Sequence, residues 1–279
     1  MRAMRVPRRP ARRRPAALAS AAARRHLPSR MTFRDHFSAQ SAGYAAHRPG
    51  YPDTLLDWVA TLAPARDEAW DCGTGSGQAA VALAERFAVV HATDASAAQL
   101  AHARPHPRVR YAVAPAEASG LPAASVDLVA VAQALHWFDL DRFWVEARRV
   151  LRPGGAIAAW TYGNPRLDDP ALDRRLARFT EEEMGPWWPP ERQLVLAGYR
   201  TIAFPFAEAA APPFTLDLRW TLAELAGYLR SWSAVVRYEA ARGADPVAPL
   251  ERELAPLWGD PADRRRVEWP VAARAGWAK

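Results

Sequence analysis

The sequence predicts an α/β protein with a doubly wound, mostly parallel sheet. Three observations predict it. Short continuous apolar runs such as Ala88–Thr93 and Val126–Ala132 read as strands buried on both faces. Helical patterns alternate with these runs, as parallel crossovers require. A glycine-rich turn, Gly73 to Gly77, joins the first strand to a helix.

In order, Leu55, Leu56, Val59 and Leu62 predict a helix over Thr54–Leu62, with Asp53 as its cap. Glu68–Cys72 is the first strand and Gln78–Phe87 an Ala-rich helix. After the strand Ala88–Thr93, Ser96 caps a short helix to Ala103. Val109–Val113 and Val126–Ala132 are strands. Asp139–Leu151 is a helix stopped by Arg152-Pro153-Gly154-Gly155, and Ala156–Thr161 is the next strand. Beyond Tyr162, helices are expected over Pro170–Glu183, Pro190–Ala197, Thr221–Ala241 and Val247–Trp258. Strands are expected over Thr201–Phe206, Phe214–Arg219 and Arg265–Ala273.

The 279 residues suffice for a core without disulfides or structural metals, and Cys72 is the one cysteine, so no intrachain disulfide forms. No apolar run approaches the ~18 residues of a membrane span. The net charge of +7 divides unevenly. Ten arginines and no acid occupy 1–30, leaving 27 basic against 30 acidic residues in 31–279. Residues 1–30 read as a disordered basic leader. The competing readings are a nucleic-acid arm, a transit or secretory signal, and translated sequence upstream of Met31. Residues 31–279 form the domain, with a cofactor half (31–162) and an acceptor half (163–279). A mildly acidic body is not expected to bind nucleic acid or membrane. The location expected is cytoplasmic; the oligomeric state is not legible.

The chemical signal is Asp71-Cys72-Gly73-Thr74-Gly75-Ser76-Gly77-Gln78, at the carboxyl edge of a parallel sheet, where such folds bind ligands. Three glycines let the backbone turn and touch a ligand. Asp94 ends the next strand, 21 residues after Gly73, placed to accept both hydroxyls of a ribose. A dinucleotide fingerprint needs glycine at 78, which is Gln78.

The pattern G-x-G-x-G with Asp71 before it resembles class I S-adenosylmethionine (SAM)-dependent methyltransferases. Pro115-Ala116-Glu117, Ser125-Val126-Asp127-Leu128-Val129 and Arg149-Val150-Leu151-Arg152-Pro153-Gly154-Gly155 extend the likeness. It implies a seven-stranded Rossmann-like sheet with an antiparallel last strand and a helical insert. It also implies SAM as cofactor. Asp71, Gly73, Thr74, Gly75, Ser76, Gly77 and Gln78 would face its methionine part, Asp94 and Ala95 its ribose, and Ala116 and Glu117 its adenine. Gln133, Ala134 and Trp137 complete the implied pocket, and Tyr44 and Arg48 its lid. Pro115 stands where many relatives carry Asp, so the Ala116 backbone and the Glu117 side chain are the remaining adenine contacts.

After the fourth strand, Gln133-Ala134-Leu135-His136-Trp137-Phe138-Asp139 lacks the [DNS]-P-P-[YFW] clamp of nucleic-acid amino-methyltransferases. It resembles the small-molecule group that includes trans-aconitate methyltransferases. The resemblance implies methyl transfer to a small-molecule acceptor, a carboxylate among the candidates, by in-line displacement. The alternatives are a macromolecular acceptor, RNA or protein, recruited by the leader, and a SAM-binding protein without catalysis. His136 either orients the acceptor or takes its proton, or else shapes the pocket through a bond to a neighbour. Arg48 is a second candidate for gripping an acceptor carboxylate. Trp187, Trp188 and Trp232 are candidate acceptor walls, Trp232 also reading as core.

Overall fold

The structure is a computed structural model that describes residues 49–278. The leader, Tyr44 and Arg48 lie outside the described residues.

The elements are α1 (Asp53–Thr61), β1 (Glu68–Cys72), α2 (Gln78–Ala84), β2 (Val89–Asp94), α3 (Ala97–Leu100), β3 (Val109–Val113), β4 (Val126–Ala132), α4 (Leu140–Val150), β5 (Leu151–Tyr162), β6 (Arg166–Leu167), α5 (Pro170–Arg178), α6 (Arg192–Leu196), β7 (Ala207–Ala209), β8 (Phe214–Trp220), α7 (Leu222–Arg230), α8 (Ser233–Arg242), α9 (Val247–Trp258) and β9 (Arg265–Trp277). The sheet runs β3-β2-β1-β4-β5-β9. The first five strands are parallel and β9 is antiparallel to β5. The short β6 also pairs β9, and β7 and β8 pair it in consecutive stretches. Among the described residues nine strands therefore fill seven positions across the sheet, the doubly wound arrangement that the sequence predicts, with the antiparallel last strand that the resemblance implies.

Period-two alternation builds a core on each face. In β1 and β4, Ala69, Leu128 and Ala130 join one cluster with Leu55, Leu83 and Trp160. Trp70, Val129 and Val131 join the other with Phe143, Val150 and Tyr199. Helix α4 follows from its caps and stripe. Asp139 accepts from the Arg142 amide, Phe143, Ala147 and Val150 are buried, and Arg148 and Arg149 sit at its negative end.

Several expectations are corrected. Pro52, not Asp53, holds the cap position of α1; Asp53 opens the helix and pairs Arg86 at 2.8 Å. Arg152-Pro153-Gly154-Gly155 lies inside β5, since α4 already ends at Val150. Thr201–Phe206 is not a strand: its alternation reflects Phe204 and Phe206 packing edge-on against Trp144 at 5.7 and 5.8 Å. The helix expected over Thr221–Ala241 breaks at Ser231-Trp232, where extended backbone at Trp232 turns its indole against Trp188 and Tyr228. Among the described residues no helix is long and apolar enough to cross a membrane.

Candidate active site

The glycine loop leaves β1 at the carboxyl edge and is pinned to β2. The amides of Gly73 and Thr74 donate to the Thr93 carbonyl at 2.9 and 3.0 Å. The Gly75 amide donates to Asp94 Oδ2 at 2.8 Å and the Ser96 amide to Asp94 Oδ1 at 2.8 Å. Asp94 thus fixes the loop and the start of α3 together.

Two glycines are there for space and for backbone. A Cβ on Gly73 would lie 2.6 Å from Ala134 Cβ, and one on Gly77 2.2 Å from the Tyr111 hydroxyl. Both have positive φ, +73° and +83°, the left-handed region that favours glycine. Among the described residues, the one atom within 4 Å of such a Cβ at Gly75 is Gln99 Oε1 at 3.9 Å.

Asp71 lies beneath this loop, fully buried. Its Oδ2 accepts from Thr74 Oγ1 at 2.6 Å, while Oδ1 and the buried Ser76 hydroxyl have no hydrogen-bond partner among the described residues. Burial raises the Asp71 carboxyl to about 7; the Thr74 hydrogen bond opposes this and the Asp94 charge adds to it. A buried carboxyl poised near neutrality is suited to a cationic ligand.

Ala116 is buried at the adenine side expected from the sequence. The Glu117 side chain accepts from the Asp139 amide at 2.8 Å, which ties that loop to the start of α4. Gln133, with φ +56°, directly follows β4. Its side chain accepts from the Thr161 hydroxyl and, at 3.2 Å, from the Tyr162 amide, and donates to the Tyr162 carbonyl at 3.0 Å. His136 follows in the one-turn helix Leu135–Trp137, with Nδ1 2.9 Å from the Tyr199 hydroxyl.

Beside Ala134 a cavity opens over the carboxyl ends of β4 and β5, with about 630 Å³ of empty space including its solvent-open mouth. Its lining joins Gln133, His136 and Trp137 to Trp188, Arg192, Tyr228 and Trp232 from the insert. Trp188 lies 5.2 Å from Trp232, and the Arg192 guanidinium stacks 3.4 Å over the Trp188 ring while donating to Asn164 Oδ1. Of the expected walls, Trp187 is not among the lining residues; it packs on Tyr238 at 5.1 Å. Trp232 serves both as core and as lining. Arg192, Tyr228 and Tyr199 carry no sequence signal. Tyr162 has one, since it ends β5 at the ligand edge.

A family model described as a methyltransferase domain matches residues 70–159. A Dictyostelium discoideum protein named as a methyltransferase is 32% identical over 231 residues, 82% of this chain and 88% of its own. The chain belongs to the SAM-dependent methyltransferase family. A structure described as a type II methyltransferase from Anaeromyxobacter dehalogenans superposes on this methyltransferase with a TM-score of 0.77 and 52% identity, covering 82% of this chain and 97% of that one. A Saccharomyces cerevisiae protein named as an S-adenosylmethionine-dependent methyltransferase is 32% identical over 139 residues, 47% of this chain and 48% of its own. The methyltransferase therefore uses SAM and has the class I fold.

Proposed function

We propose that the enzyme methylates a small-molecule acceptor carrying an anionic oxygen, a carboxylate first among these, seated in the cavity over β4 and β5. The carrying observation is the composition of that cavity. Aromatic walls from Trp137, Trp188, Tyr228 and Trp232 enclose Arg192 and His136, which suits a compact, partly apolar acid. Arg192, which lines the cavity, takes the acceptor-gripping role that the sequence suggests for Arg48.

The residues of the glycine loop fit SAM. Asp71, Gly73, Thr74, Gly75, Ser76, Gly77 and Gln78 receive its cationic methionine end. The buried Asp71 carboxyl and the Ser76 hydroxyl, which has no hydrogen-bond partner among the described residues, support this. Asp94 and Ala95 take the ribose, and Ala116 and Glu117 the adenine. Bound SAM supplies a methyl carbon made electrophilic by its sulfonium. Gly73 against Ala134 brings the loop beside the cavity, so that both reactants are held near one another and their encounter becomes effectively unimolecular. A carboxylate is already a nucleophile, so the side chains orient it and need not deprotonate it.

The test is labelled-methyl transfer from SAM across a panel of carboxylic acids, phenols and amines, using the whole chain. Methyl esters of small acids are expected. Transfer confined to amines, or to RNA or protein, would overturn the reading.

A further inference from the structure

Tyr199 has φ +60°, a conformation a bulky side chain rarely adopts, and it is fully buried. Its backbone closes the end of α6. The Gly198 amide donates to the Val195 carbonyl at 2.8 Å and the Tyr199 amide to the Leu194 carbonyl at 2.9 Å, through two successive left-handed residues. Gly198 is required there, since a Cβ would lie 2.7 Å from that of Ala272. Arg274 clamps the turn from β9. Its Nη1 donates to the carbonyls of Tyr199 and Ile202 at 2.8 and 2.6 Å, and its Nε and Nη2 donate to Glu208 at 2.7 and 3.0 Å. Such a conformation persists only where its surroundings over-determine it.

The clamp delivers the Tyr199 hydroxyl to His136 Nδ1 at 2.9 Å. The turn carrying His136 is fixed on its other side by Gln133, also left-handed, whose side chain is held by Thr161 and Tyr162. Two strained backbone positions from distant parts of the chain thus grip one imidazole that lines the cavity.

We propose that Tyr199 is a positioning residue that sets the tautomer of His136. A phenol, with an ordinary pKa of ~10, is the better donor of the two and an imidazole nitrogen the better acceptor. Tyr199 donates to Nδ1, the imidazole proton resides on Nε2, and His136 offers the cavity an N–H. His136 then holds an acceptor oxygen by donating to it and does not act as a base. This rests on the reading that the cavity takes the acceptor.

Long-range nitrogen–proton NMR of the whole, nitrogen-labelled chain above the imidazole pKa tests it, with His136 assigned by loss of its signals in His136→Gln. A protonated Nε2 and an acceptor-type Nδ1 are expected. Tyr199→Phe, which keeps the ring, should give a mixture of tautomers with SAM affinity unchanged. It should raise KM for the acid methylated in the panel by the inverse of the fraction that keeps the proton on Nε2, about twofold for an even mixture. A protonated Nδ1 in the unaltered protein would overturn the proposal, and so would a His136 spectrum unmoved by Tyr199→Phe. The unaltered protein alone decides the tautomer if the variant does not fold. A panel in which no acid is methylated, with Nε2 protonated, removes the acceptor reading and leaves the positioning role standing.

Discussion

The Asp94 carboxylate holds the Gly75 amide at 2.8 Å, so one side chain at the end of β2 sets the height of the glycine loop above β1. Asp94→Ala removes this bond, the one to the Ser96 amide, and the proposed ribose contact. Hydrogen bonds to a charged group contribute roughly 1.5–3 kcal/mol, so SAM affinity should fall about tenfold to a hundredfold. Calorimetry gives the affinity and circular dichroism shows whether the fold survives. Unchanged affinity in a folded variant would remove the ribose assignment.

Asp71 makes the ligand-free protein and its complex respond oppositely to pH. With the folded carboxyl raised from 3.8 to about 7, its contribution to stability is full below pH 3.8 and is lost as pH rises through 7. A cation bound beside it favours the ionised form, so SAM affinity should increase across the same window. Asp71→Asn should flatten the melting temperature of the ligand-free protein between pH 4 and 8 and weaken SAM binding at pH 8. A variant with the native pH dependence of both would contradict the assignment.

Glu146 has the opposite sign. The Arg149 guanidinium and the Ser119 hydroxyl and amide hold its carboxyl down at about 2. Its contribution to stability is full above pH 4.5 and is lost as pH falls through 2. Glu146→Gln should therefore reduce the melting temperature at pH 7 and narrow its gap from the unaltered protein toward pH 2, measurable by thermal melts along that series.

Gly77→Ala brings a methyl group onto the Tyr111 hydroxyl, which itself donates to the Arg104 carbonyl at 2.7 Å. Overpacking of this kind costs about 1–3 kcal/mol, and left-handed backbone at a non-glycine residue adds roughly 1 kcal/mol. Adding Tyr111→Phe should recover part of the steric cost and none of the backbone cost. Melting temperatures of the single and double variants separate the two; identical values would show that the hydroxyl is not the obstacle.

Trp188→Ala distinguishes wall from scaffold. Trp188 is half-buried and carries Arg192 on its face, so its loss should raise the acceptor KM about tenfold while SAM affinity stays within twofold. Trp232→Ala, deleting a buried core residue, should instead unfold at lower temperature by the roughly 3–5 kcal/mol of large core truncations. Equal loss of stability in both variants would make Trp188 core rather than wall.

The cofactor half was legible because its signals are local. Gly73, Gly75 and Gly77 follow a strand, and Asp94 ends the next one; chain order alone brings them to one sheet edge once the strands are parallel. The insert is less legible for a physical reason. Phe204 and Phe206 mimic strand alternation while packing on Trp144, and Trp232 breaks a helix to reach Trp188, so tertiary burial overrides the local pattern.

By itself, then, the sequence determined the doubly wound sheet, the glycine loop and the acid that closes on it, because strand periodicity and glycine φ requirements act over a few residues. Only the tertiary structure decided what faces His136. Arg192 and Tyr228 reach the cavity from separate helices of the insert, and Tyr199 reaches His136 behind it through a left-handed backbone held by Arg274 on β9. A contact made by strain in one segment and a clamp in another has no periodicity to announce it.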